Sequence, residues 1–126
     1  MEVCHLEYSR EKGSSIDPHI DDNWLWGERL VTLSLCSASV LSLSNDSLPG
    51  VMVQIPMPAC SLLVLQGSAR HKWQHAIRRA DIDDVRLAIT FRELSTEFTQ
   101  GKQTNIGRVI LEIASTFNGT PLYSEQ

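Results

Sequence analysis

Apolar and polar residues alternate with a period of two along most of this chain. Val31, Leu33 and Leu35 interleave with Thr32, Ser34 and Cys36, and Val51, Val53 and Ile55 interleave with Met52 and Gln54. Such alternation sends successive side chains to opposite faces of an extended strand. Val40–Leu43 and Leu62–Leu65 add short apolar runs. Turn residues stand between the segments: Ser44-Asn45-Asp46 with Pro49-Gly50, then Pro56, Pro58 and Gly67. With Val3–Tyr8, Ile16–His19, Trp73–Ile77 and Val85–Arg92 this makes eight candidate strands before residue 95. Eight short strands separated by turns predict a mainly β fold, an antiparallel double-stranded β-helix or jelly roll.

The period changes near the C-terminus. Ile106, Val109, Ile110, Ile113, Ala114 and Phe117 fall on one stripe of a helix over about 104–117. Thr104 or Asn105 can cap its start and Asn118-Gly119 can end it. Gly107 in the first turn weakens the helix by about 1 kcal/mol relative to alanine. The stripe is expected to pack on a sheet as a lid or buttress. No repeat or internal linker interrupts the chain, so residues 1–126 are expected to form one domain, with a core over 1–95 and a C-terminal segment over 96–126.

Composition narrows the class. A chain of 126 residues, 42% hydrophobic and 21% charged, can bury a single core. No apolar run approaches the roughly 20 residues needed to span a bilayer. Met1-Glu2-Val3-Cys4-His5 has neither the basic start nor the apolar stretch of a secretory signal. Cys4, Cys36 and Cys60 are odd in number and scattered, which predicts free thiols and a reducing compartment, cytoplasmic or nuclear. A net charge of −4 argues against broad, phosphate-driven binding of nucleic acid. The concentrated positive region, Arg70-His71-Lys72 with Arg78-Arg79, reads as a solvated loop and strand edge. No membrane partner and no obligate oligomer is expected.

The chemistry gathers around Asp17-Pro18-His19-Ile20-Asp21-Asp22. In an extended segment His19 and Asp21 point to the same side. With one distant histidine they match the two-histidine, one-carboxylate set of non-heme Fe(II) oxygenases, which leaves coordination positions open. Pro18 cannot donate to a central ladder, so the segment belongs where a strand ends. His71 and His75 both qualify as the distant ligand and share the parity of Trp73 and Ile77. His75 is preferred because it lies inside the alternating strand, whereas His71 adjoins a charged loop. Downstream, Arg86, Ala88, Thr90 and Arg92 share one strand face, and Leu87, Ile89 and Phe91 share the other, which is expected to join a core. Two fixed guanidinium forks suit a small dicarboxylate. A zinc hydrolase could use the same His-His-Asp set but gives no role to these arginines.

Taken together, Tyr8, His19-Ile20-Asp21, His75-Ala76-Ile77 and Arg86-x5-Arg92 resemble the AlkB family of Fe(II)/2-oxoglutarate-dependent dioxygenases. The wording Ser14–Asp22 followed by Trp24–Val31, with Arg70-His71-x-Trp73-x-His75 and Thr90-Phe91-Arg92-Glu93-Leu94, is similar to the AlkB homologue 4 subgroup. The resemblance spans nearly the whole chain. It implies His19, Asp21 and His75 as catalytic iron ligands. Arg86 would take the distal carboxylate of 2-oxoglutarate, and Arg92 and Tyr8 its other parts or the Asp21 side. Fe(II), 2-oxoglutarate and O₂ would drive oxidative N-demethylation, of methyl-lysine in a protein such as actin or of N6-methyladenine in DNA. The acidic balance favours protein. His5 stands where the subgroup has asparagine, and the chain starts close to the first core strand, without the family's N-terminal lid-bearing region. A catalytically impaired jelly roll serving as a binding or regulatory module is therefore the alternative expectation. Trp24 and Trp26 offer faces for a methylammonium cage, against the plainer reading as core or rim packing.

Overall fold

Alternation becomes eight strands in the computed structural model, which describes residues 1–116. They are β1 (Glu2–Tyr8), β2 (Ile16–His19), β3 (Trp26–Cys36), β4 (Ser39–Ser44), β5 (Met52–Met57), β6 (Ser61–Leu65), β7 (Gln74–Ile77) and β8 (Arg86–Leu94). Three helices accompany them: α1 (Gly67–His71), α2 (Thr96–Thr99) and α3 (Thr104–Ser115), with a 3-10 turn over Arg79–Asp81. Every expected strand forms. The short helices α1 and α2 were not expected, because four or five residues carry too little periodicity to register.

The strands make two four-stranded antiparallel sheets, in the orders β1-β8-β3-β6 and β2-β7-β4-β5. The chain crosses between the sheets repeatedly, as in a jelly roll. Tyr8, Leu30, Leu65 and Ala88 from the first sheet meet Leu41, Leu43, Met57 and Ile77 from the second, and Ile82 closes the cluster. At about 25 cal/mol per Å² of apolar surface removed from water, this sandwich interior is the main stabilising element. Pro18 lies in β2, an edge strand, and pairing shifts register between Ile16 and His19. That is where a residue without an N–H is tolerated.

Two expectations fail in instructive ways. The apolar Leu87-Ile89-Phe91 face of β8 does not join the core; Arg86 and Ala88, on the other face, are buried at 2% and 3%. Leu87, Ile89 and Phe91 lie half-buried on the outer side, register-paired with Leu35, Leu33 and Val31, while Val3, Leu62 and Val64 are exposed nearby. Helix α3 also departs from the buttress expectation: Ile106, Val109, Ile110 and Ile113 stay exposed, and its one buried residue is Gly107. A Cβ at Gly107 would collide with the Phe98 carbonyl. The glycine thus allows α3 to approach α2, which offsets its propensity cost. Gln103 occupies the N-cap without a side-chain bond, and Thr104 instead donates to the Gly101 carbonyl. Phe117, Asn118 and Gly119 lie outside the described residues. Among the described residues no helix is long and apolar enough to cross a membrane.

Candidate metal centre

Strands β2 and β7 run side by side with His19 directly opposite His75. Their rings lie 4.3 Å apart, tilted by 49°. Asp21 follows two residues beyond the end of β2, and its Oδ1 sits 3.2 Å from His19 Nε2 and 3.8 Å from His75 Nε2. One ligand atom from each of His19, Asp21 and His75 falls within 4.8 Å of the others. His19 Nδ1 lies 2.8 Å from the Asp17 carbonyl, the contact of an Nδ1–H donor, which leaves the Nε2 lone pair aimed into the cluster. His75 Nδ1 is buried with no hydrogen-bond partner. Two imidazole nitrogens and one carboxylate converging on one point fit a divalent ion that keeps open positions. His71 is elsewhere: its ring nitrogens meet Glu28 Oε2 at 2.8 Å and Asn23 Oδ1 at 3.1 Å.

Burial, followed by the charge of His19, pulls the His75 imidazole from its usual 6.5 down to about 4. The ring is therefore neutral near pH 7 and has no proton to lose to an incoming metal. The same shift has a stability sign. A depressed histidine stabilises the fold fully above about pH 6.5, and that contribution disappears as pH falls towards 4. Thermal melts of the metal-free chain should drop across this window, and His75→Gln should flatten the drop. Equal slopes for both proteins would contradict a neutral, buried His75.

A second cluster shares the same cavity. The cavity measures about 80 Å³ and is lined by His19, Asp21 and His75 together with Tyr8, Thr90, Arg86 and Arg92. That is several times the ~10–15 Å³ one water requires, room for a small organic acid. Arg86 crosses from β8 opposite Tyr8, its guanidinium 5.1 Å from the ring centre. Its Nε donates to Ser34 Oγ at 2.9 Å, and Nη2 approaches Met57 Sδ. No carboxylate of the described residues pairs with it. Burial lowers the Arg86 pKa and raises that of Tyr8, keeping the phenol neutral and able to donate. A buried cation without a counter-ion is costly unless an anion arrives.

Arg92 lies at the other end of the strand face. Its Nη1 is 3.4 Å from Asp21 Oδ2, its Nε is 3.2 Å from Glu2 Oε2, and it stacks over Trp26 at 5.4 Å. One face of Trp26 therefore already meets a cation. Trp24 is exposed and packs edge-on against Phe98. His5 faces away from the cavity, on the opposite parity from Tyr8, and is exposed.

Sequence reasoning missed two residues. Ser34 gave no signal beyond a polar residue in an alternating strand. Arg70, expected to be solvated, is 1% exposed. It donates to the carbonyls of Asp21 and Asp22, both at 3.0 Å, and to Asn23 Oδ1 at 2.7 Å.

No family model matches the chain. It is 44% identical to the human protein named alpha-ketoglutarate-dependent dioxygenase alkB homolog 4, over 97% of this chain and 50% of the relative. It is 45% identical to the mouse protein of the same name, again over 97% of the chain and 51% of the relative. A Caenorhabditis elegans protein named DNA N6-methyl adenine demethylase is 39% identical over 80% of this chain and 34% of its own length. The chain spans about half the length of the two alkB homolog 4 relatives.

Proposed function

The chain belongs to the AlkB family of Fe(II)/2-oxoglutarate-dependent dioxygenases, and from that premise we propose that it removes N-methyl groups by oxidation, with Fe(II), 2-oxoglutarate and O₂. His19 Nε2, Asp21 and His75 hold the iron. Arg86 receives the distal carboxylate of 2-oxoglutarate, with Tyr8 beside it, and Arg92 orients the Asp21 carboxylate. When bound, Fe(II) and 2-oxoglutarate would supply the oxidising chemistry, in which 2-oxoglutarate, O₂ and the N-methyl group give succinate, CO₂, formaldehyde and the demethylated amine. Leu6, Leu30, Leu63 and Ile77 contribute apolar walls to this space.

One observation carries the reading. A buried guanidinium with no carboxylate partner among the described residues lines the same cavity as the His-Asp-His group. A zinc hydrolase has no use for it. Anaerobic addition of Fe(II) and then 2-oxoglutarate should produce a visible metal-to-ligand charge-transfer band. A chain that binds metal but develops no such band is not an oxygenase of this kind.

For the substrate, methyl-lysine in a protein is favoured over methylated DNA. The basic stretch that could meet phosphates is largely engaged: Arg70 is buried, His71 contacts Glu28, and Arg78 is held by Asp81 at 2.7 Å. The demethylase name of the worm relative supports the DNA reading. Formaldehyde released from a methyl-lysine peptide but not from an N6-methyladenine oligonucleotide decides for protein. Release from neither, despite the charge-transfer band, leaves the binding or regulatory module.

A further inference from the structure

The loop that carries Asp21 has little backbone support of its own. Ladder pairing of β2 ends at His19, and over Asp21–Asn23 the main chain accepts one backbone bond, from the Trp26 N–H to the Asp22 carbonyl at 3.2 Å. Asp22 Oδ1 caps the turn that follows, but the carbonyls of Asp21 and Asp22 are held by a side chain from elsewhere. Arg70, on α1 and five residues before His75, inserts its guanidinium under the loop and is 1% exposed. Its Nη1 donates to the Asp21 carbonyl and to Asn23 Oδ1, and its Nη2 donates to the Asp22 carbonyl. His71, the next residue on α1, adds a 3.1 Å contact to the same Asn23 side chain.

We propose that Arg70 is a positioning residue for the candidate metal centre, clamping the Asp21 loop to the segment that delivers His75. The proposal rests on the reading of His19, Asp21 and His75 as metal ligands. The chain supplies these ligands from two segments more than fifty residues apart in sequence, and β2 and β7 align only the histidines. The carboxylate sits beyond the ladder, where a free loop would let it swing. A planar fork with two terminal nitrogens can grip two successive carbonyls at once; an ammonium can reach one of them. Holding the Asp21 carbonyl fixes the peptide plane that follows the Asp21 Cα, and holding the Asp22 carbonyl fixes the next plane, which limits how far the Asp21 side chain can swing. Residues behind a metal ligand characteristically set metal affinity by 10–100-fold.

The test compares the full chain with Arg70→Met and Arg70→Lys in anaerobic Co(II) titrations, reading affinity and the visible d–d spectrum, alongside thermal melts. Both variants should bind Co(II) about 10–100-fold more weakly, with altered bands. Arg70→Lys should recover most of the melting temperature without recovering the affinity. That split separates positioning from mere support of the fold. If Arg70→Met does not fold, Arg70→Lys carries the comparison alone. A folded Arg70→Lys with wild-type affinity and spectrum overturns the clamp and leaves the metal reading standing. A wild-type chain that takes up no Co(II) or Fe(II) overturns both.

Discussion

Asp21→Ala should abolish iron binding and turnover, while Asp22→Ala should leave both nearly unchanged. Asp21 is the single carboxylate of the His19-Asp21-His75 group. Its removal leaves two imidazoles and, 3.4 Å from where the carboxylate stood, the Arg92 guanidinium. An Fe(II) ion would then enter a site of like charge with no anion to compensate it. Asp22 has different work: its Oδ1 accepts the N–H groups of Trp24 at 2.7 Å and Leu25 at 2.8 Å, capping the turn into β3. Losing a cap of this kind costs about 1 kcal/mol of stability and no ligand. His75→Ala should fall with Asp21→Ala, and His71→Ala with Asp22→Ala, because His71 is taken up by Glu28 and Asn23. Fe(II) titration of the four variants, followed by 2-oxoglutarate consumption, checks the ranking. Equal effects of the two aspartate substitutions would mean that the carboxylate ligand is misassigned.

Arg86→Met should raise the 2-oxoglutarate concentration needed for half-saturation by a factor of several hundred or more, with iron affinity almost intact. Removing one partner of a buried charge pair typically costs about 3–5 kcal/mol, and each ~1.4 kcal/mol is tenfold in affinity. Arg86→Lys should rescue only partly, since it keeps the charge but loses the fork that reaches Ser34 Oγ and a carboxylate together. The metal-free chain supplies a control of opposite sign. With no carboxylate beside Arg86 among the described residues, an uncharged side chain of similar length should leave its melting temperature unchanged or raise it. Lost affinity at undiminished stability cannot be blamed on misfolding. Uncoupled 2-oxoglutarate turnover that is indifferent to Arg86 would remove the main distinction from a zinc site.

Eight strands could be read from alternation and turn residues because period two is a local property, and most strands here have Gly, Pro, Asn or Ser at or near an end; β7, between Trp73 and Arg78, rests on alternation alone. The His19-x-Asp21 spacing and the shared face of Arg86 and Arg92 were legible for the same reason: they depend only on neighbours along one strand. Which face of β8 looks inward was not legible. Leu87, Ile89 and Phe91 are the more apolar set, and local pattern assigned them to the core. The opposite sheet instead packs over Arg86 and Ala88. Periodicity states which residues lie together; only packing of the second sheet states which side is covered. His71 and His75 share parity along the chain, so alternation could not choose between them; His71 is the last residue of α1 and His75 lies in β7, which sends the two rings to different places. Arg70 is the sharpest case. Nothing within Arg70-His71-Lys72 distinguishes a solvated arginine from a buried one, because its acceptors are carbonyls of residues 21 and 22, brought beneath it by the pairing of β2 with β7. A side chain that bonds to distant backbone leaves no trace in its own neighbourhood, so its role exists only once the sheets have closed.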